Sequence, residues 1–373
     1  MTKAKKRIVI AGFGDTGVLA GIHLSKDFEI VGIGSKPCLV SGQELGTRLT
    51  NPAQWKKQYL VPFRRYRKLD EVQILQGLIV AVDAIAQSVA VEFEDGSVQH
   101  VYYDVLIIAS GVSNGFWRNN QLEHWGGLED NIERNASTLS AAHRVAVIGG
   151  GATGVSVSGN LAAQYPGKDI HLFYSQSQPL PGYHPQVRDS LEKHLQRLGV
   201  TLHPEHRAHI PDDFNCDKIT HNATQWSTGQ QTFTADATLW AVGKLRPNSA
   251  FLPADMLNAD GFVNTDKYLR VVGYNNVFAL GDIAATDPNR SSARNWGFRI
   301  LAGNVMAYLA GDEAKMKAFS APAYRWGSIL GVQARGLTVY QHSGGHYRFP
   351  LWAVKAILFP YIVNRLIYRG LRP

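Results

Sequence analysis

Residues 7–17 read RIVIAGFGDTG, and this stretch decides the fold of the first part of the chain. The apolar residues Ile8 to Ala11 predict a short buried strand, and the apolar spacing of the segment after the glycines predicts a helix. Between the two elements lie Gly12, Gly14 and Gly17 in a GxGxxG pattern. In such a unit the first glycine permits a tight turn, the second admits a pyrophosphate close to the backbone, and the third lets the helix pack against the strand. Because the helix N-terminus also presents N–H groups to a phosphate, the stretch predicts a dinucleotide site.

The next predicted strand, Glu29–Gly34, departs from the usual form of this unit. A carboxylate near the end of that strand normally accepts hydrogen bonds from the ribose hydroxyls. Here the strand is followed by Ser35 and Lys36. We expect Ser35 to hydrogen-bond the ribose and Lys36 to face a phosphate, so the adenine nucleotide site is retained with a different ribose contact.

A second unit of the same kind follows in the segment HRVAVIGGGATG, residues 143–154. It predicts a strand over Arg144–Ile148, then the glycines Gly149, Gly151 and Gly154, then a helix. The strand predicted after that helix, IHLFY at 170–174, is followed by Ser175. Neither a carboxylate nor an adjacent arginine closes it. This site therefore predicts NAD(P)H binding without separating NADH from NADPH.

Three further segments complete an ordered set of motifs: YDVLIIASG at 103–111, ATLWAVGKLRPN at 237–248 and NVFALGDIA at 276–284. With the two glycine patterns, this order resembles the FAD-dependent pyridine nucleotide oxidoreductases over about residues 7–310. More narrowly, it resembles the branch of apoptosis-inducing-factor-like proteins and type II NADH dehydrogenases. The resemblance implies an α/β fold with two Rossmann-like domains of the glutathione-reductase type and a small C-terminal module. It also implies FAD on the first unit and NADH or NADPH on the second.

The same resemblance implies roles for individual residues. The chain is expected to cross between the nucleotide domains at Ala109-Ser110-Gly111 and to return at Ala241-Val242-Gly243, and Asp282 is expected to bind the ribityl hydroxyls of FAD. The implied FAD contacts are Gly12, Gly14, Gly17, Ser35, Lys36, Ala109, Ser110, Gly111, Gly281 and Asp282. The implied NAD(P)H contacts are Gly149, Gly151, Gly154, Tyr174, Ser175, Val242 and Gly243.

The motif order also predicts how the chain is divided. Residues 1–112 form the first part of the FAD-binding domain, and residues 113–245 form the NAD(P)H-binding domain. Residues 246–311 complete the FAD-binding domain, and residues 312–373 form a basic C-terminal module.

The two cysteines, Cys38 and Cys216, limit the chemistry. They form no CxxC or CxxxxC pair and no metal-spaced cluster, which argues against disulfide reduction, a disulfide framework and a metal site. A reducing cytoplasmic compartment is the natural expectation. Ser156 stands where many relatives carry a glutamate near the nicotinamide, so weak nicotinamide binding is expected.

No residue is assigned a catalytic role from the sequence, but two candidates lie in SSARNWGFR at 291–299. A helix beginning at about 291–293 would place its positive N-terminal end near the flavin. Arg294 could add positive charge there, and Trp296 could stack on the isoalloxazine ring or line an acceptor slot. The alternatives are a solvated helix face for Arg294 and ordinary interdomain packing for Trp296.

Charge is distributed unevenly along the chain. The sequence holds 38 Lys and Arg against 30 Asp and Glu, and no carboxylate follows Glu313. Residues 347–373 mix basic residues with Trp352, Phe359, Tyr361 and Tyr368 but contain no apolar run of about 20 residues. Pro360 is expected to kink or break a helix there. This composition favours a helix lying in an anionic membrane interface, and the alternative is a terminal helix packed on protein.

Three functions fit these observations. The leading one is an NAD(P)H:quinone oxidoreductase that is cytoplasmic and peripheral on the inner face of a membrane. The second is a soluble flavin reductase that serves a protein or small-molecule acceptor. The third is a nucleotide-sensing flavoprotein that binds an anionic partner. The sequence contains no nucleic-acid-binding motif, so a nucleic acid is not expected as that partner. The oligomeric state stays open.

Overall fold

The computed structural model describes residues 5–242, 245–290 and 297–372. The strands are β1 Arg7–Ala11, β2 Glu29–Gly34, β3 Cys38–Val40, β4 Leu60–Pro62, β5 Gln73–Gln76, β6 Leu78–Asp83, β7 Ser88–Glu92, β8 Val98–Tyr102, β9 Val105–Ile108, β10 Val112–Ser113, β11 Arg144–Ile148, β12 Asp169–Phe173, β13 Thr201–His203, β14 Ala237–Trp240, β15 Arg246–Pro247, β16 Val277–Ala279, β17 Val332–Gln333, β18 Gly336–Tyr340 and β19 His346–Phe349. The helices are α1 Asp15–Leu24, α2 Leu45–Thr50, α3 Pro52–Tyr59, α4 Trp125–Ala141, α5 Ala152–Gln164, α6 Pro185–Arg197, α7 Gly297–Leu309 and α8 Leu351–Ala353, and a π-helix over Val354–Ile367 continues α8. Short 3-10 turns lie at Phe63–Arg65, Arg67–Leu69, Ala254–Met256 and Glu313–Lys315.

The first parallel sheet has the strand order β16-β9-β1-β2-β5. The predicted strand Glu29–Gly34 is confirmed with both of its ends. Both faces of β1 are buried, as the continuous apolar run requires. Ile8 and Ile10 pack in one cluster with residues of α1 and α7. Val9 and Ala11 pack in another, with the small antiparallel sheet β6–β8.

The second parallel sheet repeats this arrangement with the order β13-β12-β11-β14. Strand β11 covers the predicted Arg144–Ile148, and β12 covers Asp169–Phe173, one residue earlier than predicted. Val145 and Val147 pack against helices α5 and α6. Ala146 and Ile148 pack against a cluster that contains Trp226.

Both sheets reverse their strand order at the strand that carries the glycine pattern. From β1 the chain moves outward through β2 to β5 and returns to the other side of β1 at β9. From β11 it moves outward through β12 to β13 and returns at β14. Ligands of open α/β sheets bind in the crevice beyond the carboxyl ends of the strands at such a switch point. The two folds therefore position two comparable crevices.

The segments between the two sheets lie side by side. Val112 pairs with Pro247, and Ser113 pairs with Arg246, in a short antiparallel ladder formed by β10 and β15. The chain thus leaves the first sheet and returns to it at neighbouring positions. The predicted domain boundaries agree with this path and remain a prediction.

The C-terminal segment consists of the antiparallel sheet β17–β19 and the helical run that ends at Ile367. Of the two outcomes expected at Pro360, a kink or a break, the break is wrong, because the run continues through Pro360 as a π-helix. A π-helix bonds each N–H to the carbonyl five residues earlier, so the proline ring no longer displaces an i−4 hydrogen bond. In the part of the chain that the structure describes, no helix is long and apolar enough to cross a membrane.

Candidate functional site: two dinucleotide cradles

The first cradle lies where β1 and β9 end side by side. A Cβ added at Gly12 would lie 2.5 Å from the backbone of Ala109 and Ser110, and the φ angle of Gly12 is +106°. Only glycine fits this position without displacing the neighbouring turn. A Cβ at Gly17 would overlap the carbonyl oxygen of Gly12, so this glycine sets the approach of α1 to β1. The structure thus brings the glycine pattern and the Ala109-Ser110 turn together, although they are almost 100 residues apart.

Gly14 has the opposite surroundings. A Cβ added at Gly14 would meet no atom within 4 Å, so the space in front of the N-terminus of α1 is open. The first N–H groups of a helix have no partner within that helix. An open space at this end of α1 is the position in which a pyrophosphate would be bound.

Asp282 approaches the same crevice from β16. A Cβ at Gly281 would lie 2.8 Å from the hydroxyl of Thr16, which places the Gly281-Asp282 turn beside the first turn of α1. The Asp282 carboxylate forms an ion pair with Arg118. This ion pair raises the pKa of Arg118. The side chains of Arg118 and Asp282 are only partly exposed. Arg118 is the functional cation that sequence reasoning missed, because it belongs to no motif and reaches the site from the segment after β10.

The other predicted FAD contacts have structural partners. Ser110 donates a hydrogen bond from its hydroxyl to the carbonyl of Asn248 at 2.8 Å, which ties the two crossing segments together. The Lys36 ammonium donates to Asn119 and to the carbonyl of Gln121, both at 2.7 Å, and pairs with Glu123. Burial is the main reason that the pKa of Lys36 is lowered. The role of Lys36 as a phosphate ligand stays a prediction, and in this structure it holds the 119–123 loop.

The second cradle repeats the geometry of the first. A Cβ at Gly149 would lie 2.5 Å from the carbonyl oxygen of Ala241, and the φ angle of Gly149 is +124°. A Cβ at Gly154 would overlap the Gly149 carbonyl, whereas one at Gly151 would meet no atom within 4 Å. The N-terminus of α5 is therefore open in the same way as that of α1.

A cavity of about 520 Å³ extends from this glycine turn. Its lining includes five predicted contacts, namely Gly149, Gly151, Tyr174, Ser175 and Val242. It also includes a segment that the sequence reasoning did not select, His206–Ile210, which follows β13. Gly243, which was predicted beside Val242, lies outside the described residues, as do Arg294 and Trp296.

A larger cavity of about 680 Å³ lies at the side of the small sheet β6–β8. Its lining residues are Gln76, Phe93, Glu94, Asp95, Ser97, Leu122 and His124. It contains neither a glycine turn nor any of the predicted contacts. We therefore assign the chemistry to the cradles, where the strand ends and helix N-termini converge, and not to the larger space.

Helices α2 and α5 meet at a close crossing between the cradles. A Cβ at Gly46 would lie 2.5 Å from the backbone oxygen and the hydroxyl of Ser156, which explains why position 46 is a glycine. Arg48, in α2, is buried and lies over the ring of Trp55. Among the described residues, its Nε atom has no hydrogen-bond partner. Burial lowers the pKa of Arg48 to about 10. A buried cation of this kind is costly unless an anionic group compensates it.

The two cysteines lie in apolar packing. Cys38 packs with Trp55, Tyr59 and Ile132, and burial raises the pKa of its thiol to about 12. Cys216 packs with Trp226, and burial raises the pKa of its thiol as well. A thiol with a raised pKa is a poor nucleophile. Both cysteines therefore act as small apolar residues, in line with the absence of a redox motif.

The residues present fit two dinucleotides. Each cradle has an open position at its second glycine, a helix N-terminus directed at that opening, and a third glycine that allows close helix packing. The first cradle adds a carboxylate beside α1, as a ribityl chain requires, and the second adds a cavity of nucleotide size.

Comparisons with known proteins agree with this geometry. The sequence profile described as pyridine nucleotide-disulphide oxidoreductase matches residues 6–298. Oxidoreductase ptaL of Pestalotiopsis fici is 26% identical over 306 residues, which are 80% of this chain and 77% of that protein. Apoptosis-inducing factor homolog B of Dictyostelium discoideum is 23% identical over 318 residues, 80% of this chain and 79% of that protein. The covalent putidaredoxin reductase–putidaredoxin complex superposes with a TM-score of 0.68 and 21% identity, covering 91% of this chain and 82% of that chain. The structural likeness confirms the predicted fold of two Rossmann-type domains.

Proposed function

This chain belongs to the pyridine nucleotide-disulphide oxidoreductases, and from that premise we propose that it passes electrons from NAD(P)H through FAD to a quinone-like acceptor at a membrane surface. The family membership makes it an NAD(P)H-dependent flavin oxidoreductase with FAD and NAD(P)H as its cofactors. The quinone and the membrane are the parts that we propose.

The two cradles divide the binding tasks. Bound FAD would supply the redox chemistry, because a flavin accepts two electrons from a nicotinamide and releases them to an acceptor. The N-terminus of α1 and the open position at Gly14 hold a pyrophosphate, and Asp282 accepts hydrogen bonds from ribityl hydroxyls. Arg118 offsets the charge of Asp282 inside this crevice. The N-terminus of α5 and the open position at Gly151 hold the nicotinamide nucleotide.

One surface carries the membrane part of the proposal. The side chains of Trp352, Ile357, Tyr361 and Leu366 are 67%, 45%, 55% and 60% exposed. The exposed basic residues Lys355 and Arg365 belong to the same helical run, and the exposed Arg369 follows its end at Ile367. An apolar face with basic neighbours suits the boundary between headgroups and acyl chains, where each Lys or Arg near an anionic surface contributes about 1 kcal/mol. We call these four apolar residues the C-terminal apolar face.

Other residues of this C-terminal segment pack on the first nucleotide domain. The ring of Tyr368 lies 5.1 Å from the ring of Tyr66, and the ring of Phe359 lies 6.5 Å from that of Tyr59. Arg372 forms a bidentate ion pair with Asp70. Two of the four aromatic residues expected to contact lipid, Phe359 and Tyr368, thus contact protein instead. A face anchored in this way would bring the FAD domain itself to the bilayer.

The test uses point substitutions, since truncation would uncover Tyr59 and Tyr66. Trp352→Ser combined with Leu366→Ser removes two members of the C-terminal apolar face. At their exposed fractions, burial of these side chains in lipid contributes about 3 kcal/mol, which corresponds to about a 100-fold fall in the vesicle partition coefficient. The matched control is Ile85→Ser, because Ile85 is 98% exposed in the loop between β6 and β7. Sedimentation with anionic vesicles and with neutral vesicles gives the partition coefficient of each variant.

The acceptor is tested by anaerobic mixing of the FAD-loaded protein. NADH or NADPH should bleach the flavin absorbance, and a quinone should restore it. The parent should be reoxidised by a long-chain quinone held in vesicles and by a short-chain soluble quinone, whereas the double variant should be slowed only with the vesicle-held quinone. If neither quinone restores the absorbance, the quinone part of the proposal is wrong. If the parent does not sediment with anionic vesicles, the membrane part is wrong.

A further inference from the structure

The cavity of the second cradle has a basic segment beside the end of the second strand, where a Rossmann unit that binds NAD usually has a carboxylate. Among the described residues, fifteen line this cavity, and they include His206, Arg207 and His209 but no Asp or Glu. The ribose of the adenosine half binds beyond the end of the second strand of such a unit, here beyond β12 at Tyr174 and Ser175. The basic segment lines the same cavity as these two residues.

Backbone hydrogen bonds hold the basic segment beside the end of β12. Strand β13 is the parallel neighbour of β12, with Phe173 opposite His203. Tyr174 donates its N–H to the carbonyl of His203 at 3.0 Å, and His206 donates its N–H to the carbonyl of Tyr174 at 3.0 Å. Glu205 donates its N–H to the carbonyl of Gln176 at 3.1 Å. The loop that follows β13 is thus tied to the loop that would surround the ribose.

Arg207 is fixed by its backbone and keeps its side chain available. Its N–H donates to the hydroxyl of Thr228 at 3.1 Å, and its carbonyl accepts from the N–H of Ser227 at 2.8 Å. Among the described residues, every hydrogen bond that the structure gives Arg207 involves its backbone. Arg207 is exposed, and an exposed guanidinium without a carboxylate partner is free to bind an anionic ligand.

The neighbouring histidine His203 does not supply this charge. It stacks on Phe173 with ring centroids 4.2 Å apart, and burial lowers its pKa to about 4. The ring of His206 packs edge-on against Trp226, and its Nδ1 lies 2.7 Å from the carbonyl of Pro204. The second ring nitrogen of His206 is not used by that bond. Among the described lining residues, Arg207 is therefore the permanent cation of the cavity, and His206 and His209 lie beside it.

These observations decide between the two nicotinamide nucleotides. NADH offers a neutral ribose 2′-hydroxyl, which a carboxylate recognises, whereas NADPH offers a 2′-phosphate with a charge of about −1.5 to −2 at pH 7. A carboxylate would repel that phosphate, and an arginine can bind it with two N–H groups. We propose that Arg207, supported by Ser175, His206 and His209, forms a 2′-phosphate subsite and that the protein uses NADPH in preference to NADH. This inference rests on the proposed function of the second cradle.

Binding of oxidised nucleotides to the FAD-loaded protein tests the subsite without any turnover. Isothermal titration calorimetry with NADP⁺ and NAD⁺, and with 2′,5′-ADP and 5′-AMP, reports the contribution of the 2′-phosphate directly. The parent should bind NADP⁺ at least about tenfold more tightly than NAD⁺, the factor expected for one charge-assisted hydrogen-bonded pair. The preference should shrink as ionic strength rises, since salt screens the exposed charges.

Three variants separate the possible outcomes. Arg207→Ala should weaken NADP⁺ binding by about tenfold or more and leave NAD⁺ binding nearly unchanged, and Arg207→Lys should restore part of it. Arg197→Ala, which removes an exposed arginine of α6 in the same domain, should change neither. Equal affinities for both nucleotides in the parent, or equal weakening of both by Arg207→Ala, would overturn the subsite. Gly151→Val should abolish binding of both nucleotides, and if it does not, the second cradle itself is wrongly assigned.

Discussion

Substitution of Gly14 by valine tests the first cradle most sharply, because the structure predicts a loss of cofactor without a loss of fold. The φ and ψ angles of Gly14 are −86° and −157°, which any residue can adopt, and an added Cβ meets no atom within 4 Å. The free energy of unfolding of the cofactor-free protein should therefore change by less than about 0.5 kcal/mol. The valine side chain would nevertheless fill the space in front of the helix N-terminus. Loss of two charge-assisted hydrogen bonds to a phosphate, at about 1.5–3 kcal/mol each, weakens FAD binding by at least about 100-fold.

Gly12→Ala is the matched comparison within the same turn. Its Cβ would lie 2.5 Å from three backbone atoms of Ala109 and Ser110, and the φ angle of +106° is unfavourable for alanine. Backbone strain of this kind costs about 1–3 kcal/mol before any displacement of β9 is counted. This variant should therefore lose fold stability and FAD together, whereas Gly14→Val should lose FAD alone.

Two measurements distinguish these outcomes. Urea unfolding of the cofactor-free proteins, followed by circular dichroism, gives the change in unfolding free energy. Visible flavin absorbance after purification and dialysis against free FAD gives cofactor retention. If Gly14→Val retains one FAD per chain, the pyrophosphate does not lie at this helix end. If Gly12→Ala is as stable as the parent, the close approach of the two turns is wrong.

Two further predictions concern charge. The pKa of His203 is lowered to about 4 by burial, so the unfolded chain binds more protons between about pH 4 and 6.5 and the free energy of unfolding should fall as pH falls through that window. His203→Phe keeps the ring stack and should flatten this pH dependence, whereas substitution of the exposed His100 by phenylalanine should not. Denaturant titrations across the window measure the free energy of unfolding. If both variants follow the parent, His203 is not the source of the dependence. Asp282→Asn removes the charge that pairs with Arg118, and we expect weaker FAD retention with a change of at most about 1 kcal/mol in the cofactor-free protein. If equilibrium dialysis shows that the variant retains FAD as well as the parent does, Asp282 does not bind the cofactor.

The elements that the sequence predicted well are those determined by local sterics. Strands β2 and β11 were predicted with both ends, because apolar runs between glycines leave little freedom. The two glycine patterns also predicted the position of the sheet crevices. Gly12 and Gly149 each lie against the backbone of the turn that follows the returning strand. Only a glycine fits there, so the glycine spacing in the sequence predicts this contact.

What the sequence did not give were contacts made by loops that belong to no motif. Arg118 reaches Asp282 from the segment between the sheets, and the pairing depends on how β10 and β15 lie together. Lys36 pairs with Glu123, 87 residues later in the chain, a contact that the sequence did not predict, and its expected role at a phosphate stays a prediction. Pro360 was expected to kink or break a helix, and the helical run continues through it as a π-helix. Each of these outcomes depends on tertiary neighbours that local propensity does not encode.

The nicotinamide preference shows the same limit most clearly. The residues directly after β12 include neither a carboxylate nor an arginine, so the sequence alone does not separate NADH from NADPH. In the folded protein, the cavity beyond β12 also receives the loop after β13, since parallel neighbouring strands end at the same edge of a sheet. Arg207 therefore lies beside Tyr174 in space while it is 33 residues away in sequence. A search for the 2′-phosphate ligand should thus cover the loops after both strands, because sheet order, and not sequence distance, determines which side chains can reach the ribose.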